Sequence, residues 1–339
     1  MSLLQAPRFD AAGAEHLARE LFRVNADASL LPSERDQNFL LTAPFGDRYV
    51  LKIANGGEHR AMLEAQNAAM AHVARRVAFC PQVLATTEGD TIAFTPDGNH
   101  FVRLVTYLDG TPLAKLTART PALLENFGQA MGTLDAALAD FDHPAIHRDF
   151  HWDLVNAARV ISEHLPLVRD AEHRRLIEAV SGTAFEALDR SRKALRLSAV
   201  HHDANDWNVL VSDAEANAQA PEIVGVIDFG DLVYSWTVAD PAVAAAYALL
   251  DRPNPVETVA AIVRGYQRQY PLRDEELSAV FPLAALRLCM SACIAAWQQQ
   301  QRPDDEYLAV SQEPIRRTLP MLAAVDPAVA EDAVRRALR

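Results

Sequence analysis

The sequence predicts an α+β chain in two parts, a small β-rich N-terminal part and a larger, mainly helical C-terminal part. Three observations carry this. Short apolar runs separated by turn residues recur as far as Tyr107 and stop at the turn Asp109-Gly110-Thr111-Pro112. From Pro121 onward, apolar residues recur at helical spacing. A single β-rich interruption, residues 199–228, breaks the helical part. The expected divisions are residues 1–105, a connector at 106–110, and 111–339 with a functional hairpin at 199–230.

Taken in order, Ala11 to Val24 reads as a helix packed on the first part, with Ala12, Leu17 and Leu21 on one face. Asn38 to Thr42 and Arg48 to Ile53 read as strands around the turn Pro44-Phe45-Gly46-Asp47. Asn55-Gly56-Gly57 ends the second strand, and the Ala-rich stretch Glu58 to Arg76 follows as a helix. Thr91 to Thr95 and His100 to Tyr107 are two further strands. In the second part, helices are expected over Pro121–Ala139, Phe150–Ile161, Asp170–Leu195, Val238–Leu250, Pro255–Tyr270 and Glu275–Gln300. Two more, Glu306–Val325 and Ala328–Leu338, close the chain, and Asp213–Glu222 reads as a surface loop inside the hairpin.

Composition narrows the function. Half of the 339 residues are apolar, enough for a full core. A net charge of −13 argues against nucleic acid or an anionic membrane as partner and suits a cationic small molecule. Cys80, Cys289 and Cys293 form no Cys-x-x-Cys and read as buried thiols. There is no run of about 18 wholly apolar residues and no basic-then-apolar N-terminal layout, so a cytoplasmic location is expected. Lys52, Lys115 and Lys193 are the only lysines among 32 basic residues, which draws attention to each.

The hairpin region carries the chemistry. His201-His202-Asp203-Ala204-Asn205-Asp206-Trp207-Asn208 leads into Val209-Leu210-Val211, and Ile223 to Ile227 runs into Asp228-Phe229-Gly230. A hairpin would carry Asp203, Asn208 and Asp228 to one end. Two carboxylates and an amide so placed suit metal-assisted phosphoryl transfer: Asp203 takes or orients the proton of an attacking hydroxyl, while Asn208 and Asp228 hold Mg²⁺ against a nucleoside triphosphate. An Asx-rich turn explains Asp203 or Asn208 singly. It does not explain both together with flanking strands and Asp-Phe-Gly. His201 reads as a brace for the loop, and His202 is given no role. Asp231 reads as a further carboxylate near the metal, a substrate contact, or a helix cap.

Lys52, in Val50-Leu51-Lys52-Ile53, sits where a strand lysine would pair the α/β-phosphates. Its expected carboxylate partner is Glu64 on the next helix, with Glu58 second because it stands nearer the helix start. The turn from Ser33 to Asn38 would cover the phosphates, with Ser33, Gln37 and Asn38 as donors, although it is not glycine-rich. Val105, Thr106 and Tyr107 would offer backbone groups to the nucleobase. His147-Arg148-Asp149 imitates a catalytic loop, but the fifth residue after Asp149 is Leu154, not Asn. It reads as a helix start, with Asp149 as cap and Trp152 packing. A metal site at His147, His151 and Asp153 is the weaker reading because the spacing lacks metal-ligand logic. No phosphate-binding P-loop, nucleophile elbow or dinucleotide fingerprint occurs.

On these residues the chain resembles the aminoglycoside phosphotransferase/choline kinase superfamily over essentially its whole length, and within it the hydroxylysine kinase branch. The likeness is carried by Asp36-Gln37-Asn38-Phe39, Tyr49 to Ile53, His202 to Leu210, Ile227 to Asp231 and Arg287-Leu288-Cys289. Two departures stand out. His202 occupies a place that is often Gly, and Asp240-Pro241 stands where that branch more often reads Glu-Leu. The resemblance implies a two-lobed protein-kinase-like fold, Asp203 as catalytic aspartate, Asn208 and Asp228 as metal ligands, Lys52 as phosphate lysine, and ATP or GTP as donor. It implies a hydroxyl acceptor on a small amino alcohol or hydroxylated amino acid. For an amino-acid acceptor, Asp231 is expected to meet the ammonium and Arg287 the carboxylate, with a helix salt bridge as the alternative reading of Arg287. Aminoglycoside, homoserine or choline/ethanolamine acceptors are the alternatives, followed by a catalytically silent nucleotide-binding module. A PLP-dependent phospholyase is the associated partner the branch suggests.

Overall fold

The computed structural model describes residues 6–33, 36–212, 220–301 and 312–339. The chain forms two compact units. One ends at Asp109 and also takes in His143–Ala145; the other is Gly110–Asp142 with Ile146–Arg339. The division thus falls a few residues later than the pattern suggested, because the last long strand runs to Thr106.

In the first unit, helix α1 (Ala11–Phe22) is capped by Asp10, whose Oδ1 accepts the Gly13 N–H at 2.8 Å. Strands β1 (Asp27–Leu31), β2 (Gln37–Thr42) and β3 (Arg48–Ile53) follow, then α2 (Arg60–Val73), β4 (Val83–Leu84), β5 (Ala93–Phe94) and β6 (Phe101–Thr106). They make one antiparallel sheet in the order β1-β2-β3-β6-β4, with β5 also pairing β6. The period of two places Phe39, Leu41, Leu51, Ile53, Val102 and Leu104 in one core cluster with Ala14, Leu17, Ala18 and Phe22 of α1. Asn38, Lys52 and Arg103 are cross-strand neighbours on the alternate positions. The sequence pattern missed β1 and β4. The first is a half-exposed edge strand without clean alternation, and the second has only two residues.

The second unit begins with β7 (Thr111–Pro112) and α3 (Pro121–Leu138), followed by α4 (Ala157–His164) and α5 (Ala171–Leu188). Strands β8 (Leu197–Val200), β9 (Val209–Val211), β10 (Ile223–Val226) and β11 (Val233–Trp236) come next. Helices α6 (Ala239–Ala248), α7 (Pro255–Gln267), α8 (Asp274–Gln301), α9 (Gln312–Ala323) and α10 (Pro327–Ala337) complete it. Helix α8 is long and apolar enough to cross a membrane by length and composition, yet its apolar stretch is almost wholly buried, and α4, α5 and α6 pack on it. Helices α3 and α7 meet backbone to backbone at two glycines. A Cβ on Gly128 would lie 1.9 Å from the Ile262 carbonyl oxygen, and one on Gly265 would lie 1.8 Å from that of Glu125.

The expected hairpin forms as the antiparallel pair β9 and β10, which β7 extends; β8 pairs instead with β11 in a second small sheet, so the loop from His201 to Asn208 joins a strand of one sheet to a strand of the other. Helix α4 starts later than expected, after a 3₁₀ turn at Leu154–Asn156. That turn is capped by Asp153, which accepts the Val155 N–H; Asp149 instead takes Asn156 Nδ2 at 3.1 Å and Arg159 at 2.6 Å. Helix α5 stops at Leu188, well short of Leu195, where a 3₁₀ turn at Arg192–Ala194 intervenes. Residues 213–219 of the expected surface loop and 306–311 of the expected helix lie outside the described residues.

Candidate active site

The loop between β8 and β9 is held from beneath by a single side chain. Asp240 stands in the first turn of α6, a helix whose every residue is buried, and accepts the N–H groups of His201 at 2.8 Å and His202 at 2.6 Å. His202 adopts a left-handed backbone, φ +66°. That geometry favours glycine and explains why a small residue would serve there. Here the imidazole is fully buried, its Nε2 lying 3.1 Å from the Trp152 carbonyl and 3.2 Å from the Leu154 N–H. Burial, and then the Arg287 charge, hold its pKa down to about 3. His201 braces the loop: its Nε2 lies 3.1 Å from the Ile227 carbonyl, its Nδ1 accepts the Asp203 N–H at 3.3 Å, and its ring meets Phe229 edge-on.

Asp203 projects from this frame with its side chain about one-fifth exposed, at 21%. Oδ1 accepts from Asn205 Nδ2 at 2.9 Å and Arg287 Nη2 at 3.3 Å, and Oδ2 accepts from Asn208 Nδ2 at 2.7 Å. Burial, and then the neighbouring Asp231 carboxylate, push the Asp203 carboxyl well above the usual range, while Arg287 and Asn205 draw it back. The sheet brings the other end in. Val226 pairs with Val209, and the Ile227 N–H donates to the Asn208 carbonyl at 2.9 Å, so Asp228 emerges beside Asn208. Asp228 takes a left-handed backbone, φ +64°, and its Oδ1 accepts the Gly230 N–H at 3.1 Å. Asp231 is buried and close enough to act electrostatically on Asp203 and Arg287.

Arg287 changes its reading. It was expected to meet a substrate carboxylate, but it lies 1% exposed in the middle of α8. Nη1 donates to the Trp152 carbonyl at 3.1 Å, Nε to the Tyr247 hydroxyl at 3.4 Å and Nη2 to Asp203; the guanidinium also stacks over the rings of Trp152 and Tyr247. Its ionic partner is the loop aspartate itself. The imitation motif also finds a use. Arg148 Nη2 donates to the Gly230 and Leu232 carbonyls at 3.0 and 3.1 Å, gripping the turn that carries Asp228. By sequence, Asn205 and Tyr247 had no role, Trp152 read only as packing, and Asp240 stood out only as a departure from the branch's Glu-Leu. The signal at Asp240 is a lone carboxylate opening an otherwise apolar helix.

Among the described residues, no three His, Cys, Asp or Glu side chains converge on a metal position, and this includes His147, His151 and Asp153. His147 pairs with Asp142 at 2.7 Å and stacks on Tyr234. Mg²⁺ requires less, one or two carboxylates with amide, water and phosphate oxygens completing the shell. Asn208 spends Nδ2 on Asp203, which leaves its carbonyl oxygen as the atom for a cation, and Asp228 is exposed beside it. The donor set fits.

The first unit treats its candidates differently. Lys52 lies in β3 between Asn38 and Arg103. Glu64 pairs with Arg60 one turn back at 2.8 Å, both about half exposed, so it is not the partner expected for Lys52. The strand-to-helix link is Arg103 Nη1 to Asn67 Oδ1 at 3.0 Å. Gln37 exchanges hydrogen bonds with the Phe9 backbone through both ends of its amide, each at 2.8 Å, which leaves one Nε2 hydrogen for another acceptor. Ser33 sits half-buried beyond β1, and the Asn38 Oδ1 is buried without a hydrogen-bond partner among the described residues. Val105 is buried in β6 between β3 and β4, and the N–H groups of Thr106 and Tyr107 go to the Gln82 and Arg48 carbonyls. Of the backbone groups expected to face a nucleobase, the N–H groups of Thr106 and Tyr107 are thus engaged within the first unit.

This fold and this loop define a phosphotransferase of the two-lobed, protein-kinase-like class that acts on hydroxyl groups of small molecules. Residues 27–277 match the phosphotransferase enzyme family, and the chain belongs to it. It is 29% identical over 329 residues to a hydroxylysine kinase of Mus musculus, covering 90% of this chain and 87% of that one. It is 30% identical over 308 residues to one of Xenopus laevis, covering 83% and 80%. Among solved structures, an amicoumacin kinase in complex with AMP-PNP and Ca²⁺ superposes with a TM-score of 0.69 at 15% identity, covering 95% of this chain and 97% of that one. A microcompartment-associated aminopropanol kinase gives 0.67 at 18% identity, covering 97% and 99%.

Proposed function

We propose that the enzyme transfers the γ-phosphoryl group of ATP or GTP to the hydroxyl of a small hydroxylated amino acid or amino alcohol of the hydroxylysine type. The observation that carries it is the Asp203 carboxylate, fixed by Asn205, Asn208 and Arg287 and still partly open. In the reaction, Asp203 accepts the hydroxyl proton, the alcohol oxygen bonds to the γ-phosphorus, and the bond to the β-phosphate oxygen breaks. The products are a phosphate monoester and the nucleoside diphosphate. Asn208 and Asp228 would hold Mg²⁺, whose charge offsets that of the phosphates when bound. The acceptor reading draws on the relatives, which are hydroxylysine kinases. An acidic chain and the carboxylates near Asp203 suit an acceptor that carries an ammonium.

The test is phosphate transfer across a panel of hydroxylated amines (hydroxylysine, homoserine, choline, ethanolamine, aminopropanol and an aminoglycoside), each with ATP and GTP. Hydroxylysine with either nucleotide should give the highest kcat/KM, and Asp203→Asn should abolish turnover while nucleotide still binds. Preference for an aminoglycoside, or full turnover by Asp203→Asn, would overturn the reading.

A further inference from the structure

Behind the Asp203 loop lies a second carboxylate that phosphoryl transfer does not use. Asp135, on α3, is 1% exposed, and its Oδ2 accepts the Tyr266 hydroxyl of α7 at 2.5 Å. Its Oδ1 is buried and receives no hydrogen bond from a donor group among the described residues. Helix α6 packs on α3, and Asp240, itself fully buried, lies close enough to Asp135 to share a hydrogen bond with it and act on its charge. Asp240 already accepts the His201 and His202 N–H groups, one on each oxygen. Each of those oxygens keeps a second lone pair.

Two buried carboxylates side by side do not both ionise; the pair retains a proton. The hydrogen bonds decide where it rests. Asp240 faces two N–H dipoles that favour a negative charge, whereas Asp135 faces only a phenol. We propose that Asp135 is a positioning residue for the phosphoryl-transfer loop: as a neutral acid it donates its proton to Asp240, completing a chain from Tyr266 through Asp135 and Asp240 to the backbone beside Asp203. Burial, and then the Asp240 charge, push the Asp135 carboxyl well above its ordinary range, in keeping with this. The close approach at Gly128 and Gly265 is what brings the α3 carboxyl and the α7 phenol together.

The inference rests on Asp203 as the base, so its test carries a readout independent of turnover. Amide hydrogen exchange at His201 and His202 reports the Asp240 grip directly, and steady-state kinetics reports its consequence. Asp135→Asn keeps a donor for Asp240 and an acceptor for Tyr266. It should retain exchange protection and a kcat within about twofold of wild type. Asp135→Ala should lose protection at both amides and lower kcat at least tenfold with the nucleotide KM unchanged. Asp240→Asn should behave like Asp135→Ala, because an amide cannot accept both N–H groups. If Asp135→Asn fails as badly as Asp135→Ala while Asp240→Asn is tolerated, the proton rests on Asp240 and the assignment is wrong. If Asp135→Ala keeps full protection, the network has no hold on the loop. Loss of protection without any measurable wild-type kinase activity would uphold the network and remove the base assignment instead.

Discussion

Replacing Arg287 by Met removes a guanidinium of matched length from beside Asp203 and substitutes an apolar chain. Unit charges about 4 Å apart at an effective dielectric near 20 interact by about 4 kcal/mol, and removing one partner of a buried pair costs about 3–5 kcal/mol. The pair here sits at 3.3 Å with one member 2% and the other 21% exposed, which puts the effect toward the lower end. Part of the loss falls on the fold, since the Trp152 carbonyl and the Tyr247 hydroxyl also lose a donor. The rest falls on the base, whose carboxylate is left among Asp228 and Asp231 without its counter-charge. A misplaced general base forfeits roughly 10²–10⁴ in rate, so kcat should drop about a hundredfold. The acceptor and nucleotide KM values should stay within about threefold. Steady-state kinetics on protein shown to be folded by circular dichroism is the assay, with Arg287→Lys as the intermediate case that keeps charge but loses the fork. The reasoning fails if folded Arg287→Met turns over at near wild-type rate. It fails equally if only the acceptor KM rises, since that is the signature of a substrate-carboxylate contact.

Three further outcomes are expected. His202 is neutral when folded down to pH about 3 but titrates at 6.5 when unfolded, so the unfolded chain binds the extra proton between those values and stability falls as pH drops from 6.5. At pH 5 this amounts to about 2 kcal/mol, and His202→Asn, which tolerates the left-handed backbone, should flatten that part of the urea-midpoint profile; an unchanged slope would show that other groups set it. Gly265→Ala sets a Cβ against a carbonyl that cannot rotate away, so the denaturation midpoint should fall by at least the roughly 1–3 kcal/mol of an overpacked core, and a neutral result would mean that α3 and α7 can part freely. Glu64→Ala breaks only an exposed pair worth about 0.3–0.5 kcal/mol, so Tm and nucleotide affinity should hold; a large rise in nucleotide KM would restore Glu64 to the phosphate site.

Local information made much of this legible. Helical period marked α3, α6, α7 and α8 to within a few residues, and strand alternation marked β2, β3 and β6, because each signal is complete within one segment. The loop from His201 to Asn208 and the Asp228 turn stood out by residue type and spacing, and the ladder between β9 and β10 places them side by side. Edge strand β1 and two-residue β4 escaped, as did the cap at Asp153, where Asp149 four residues earlier offered the same side chain.

By itself, then, the sequence determined most of the longer helices and strands and marked the loop from His201 to Asn208 and the turn at Asp228 as belonging together. The partners of those groups were decided only in three dimensions. Arg287 stands 84 positions from Asp203, and Asp135 more than a hundred from Asp240, and nothing in either stretch of chain names the other. A buried charge or proton must find its counterpart wherever packing delivers one, so pairing is a property of the assembled helices. The same burial that hides these groups from water makes their mutual contacts strong enough to hold the loop.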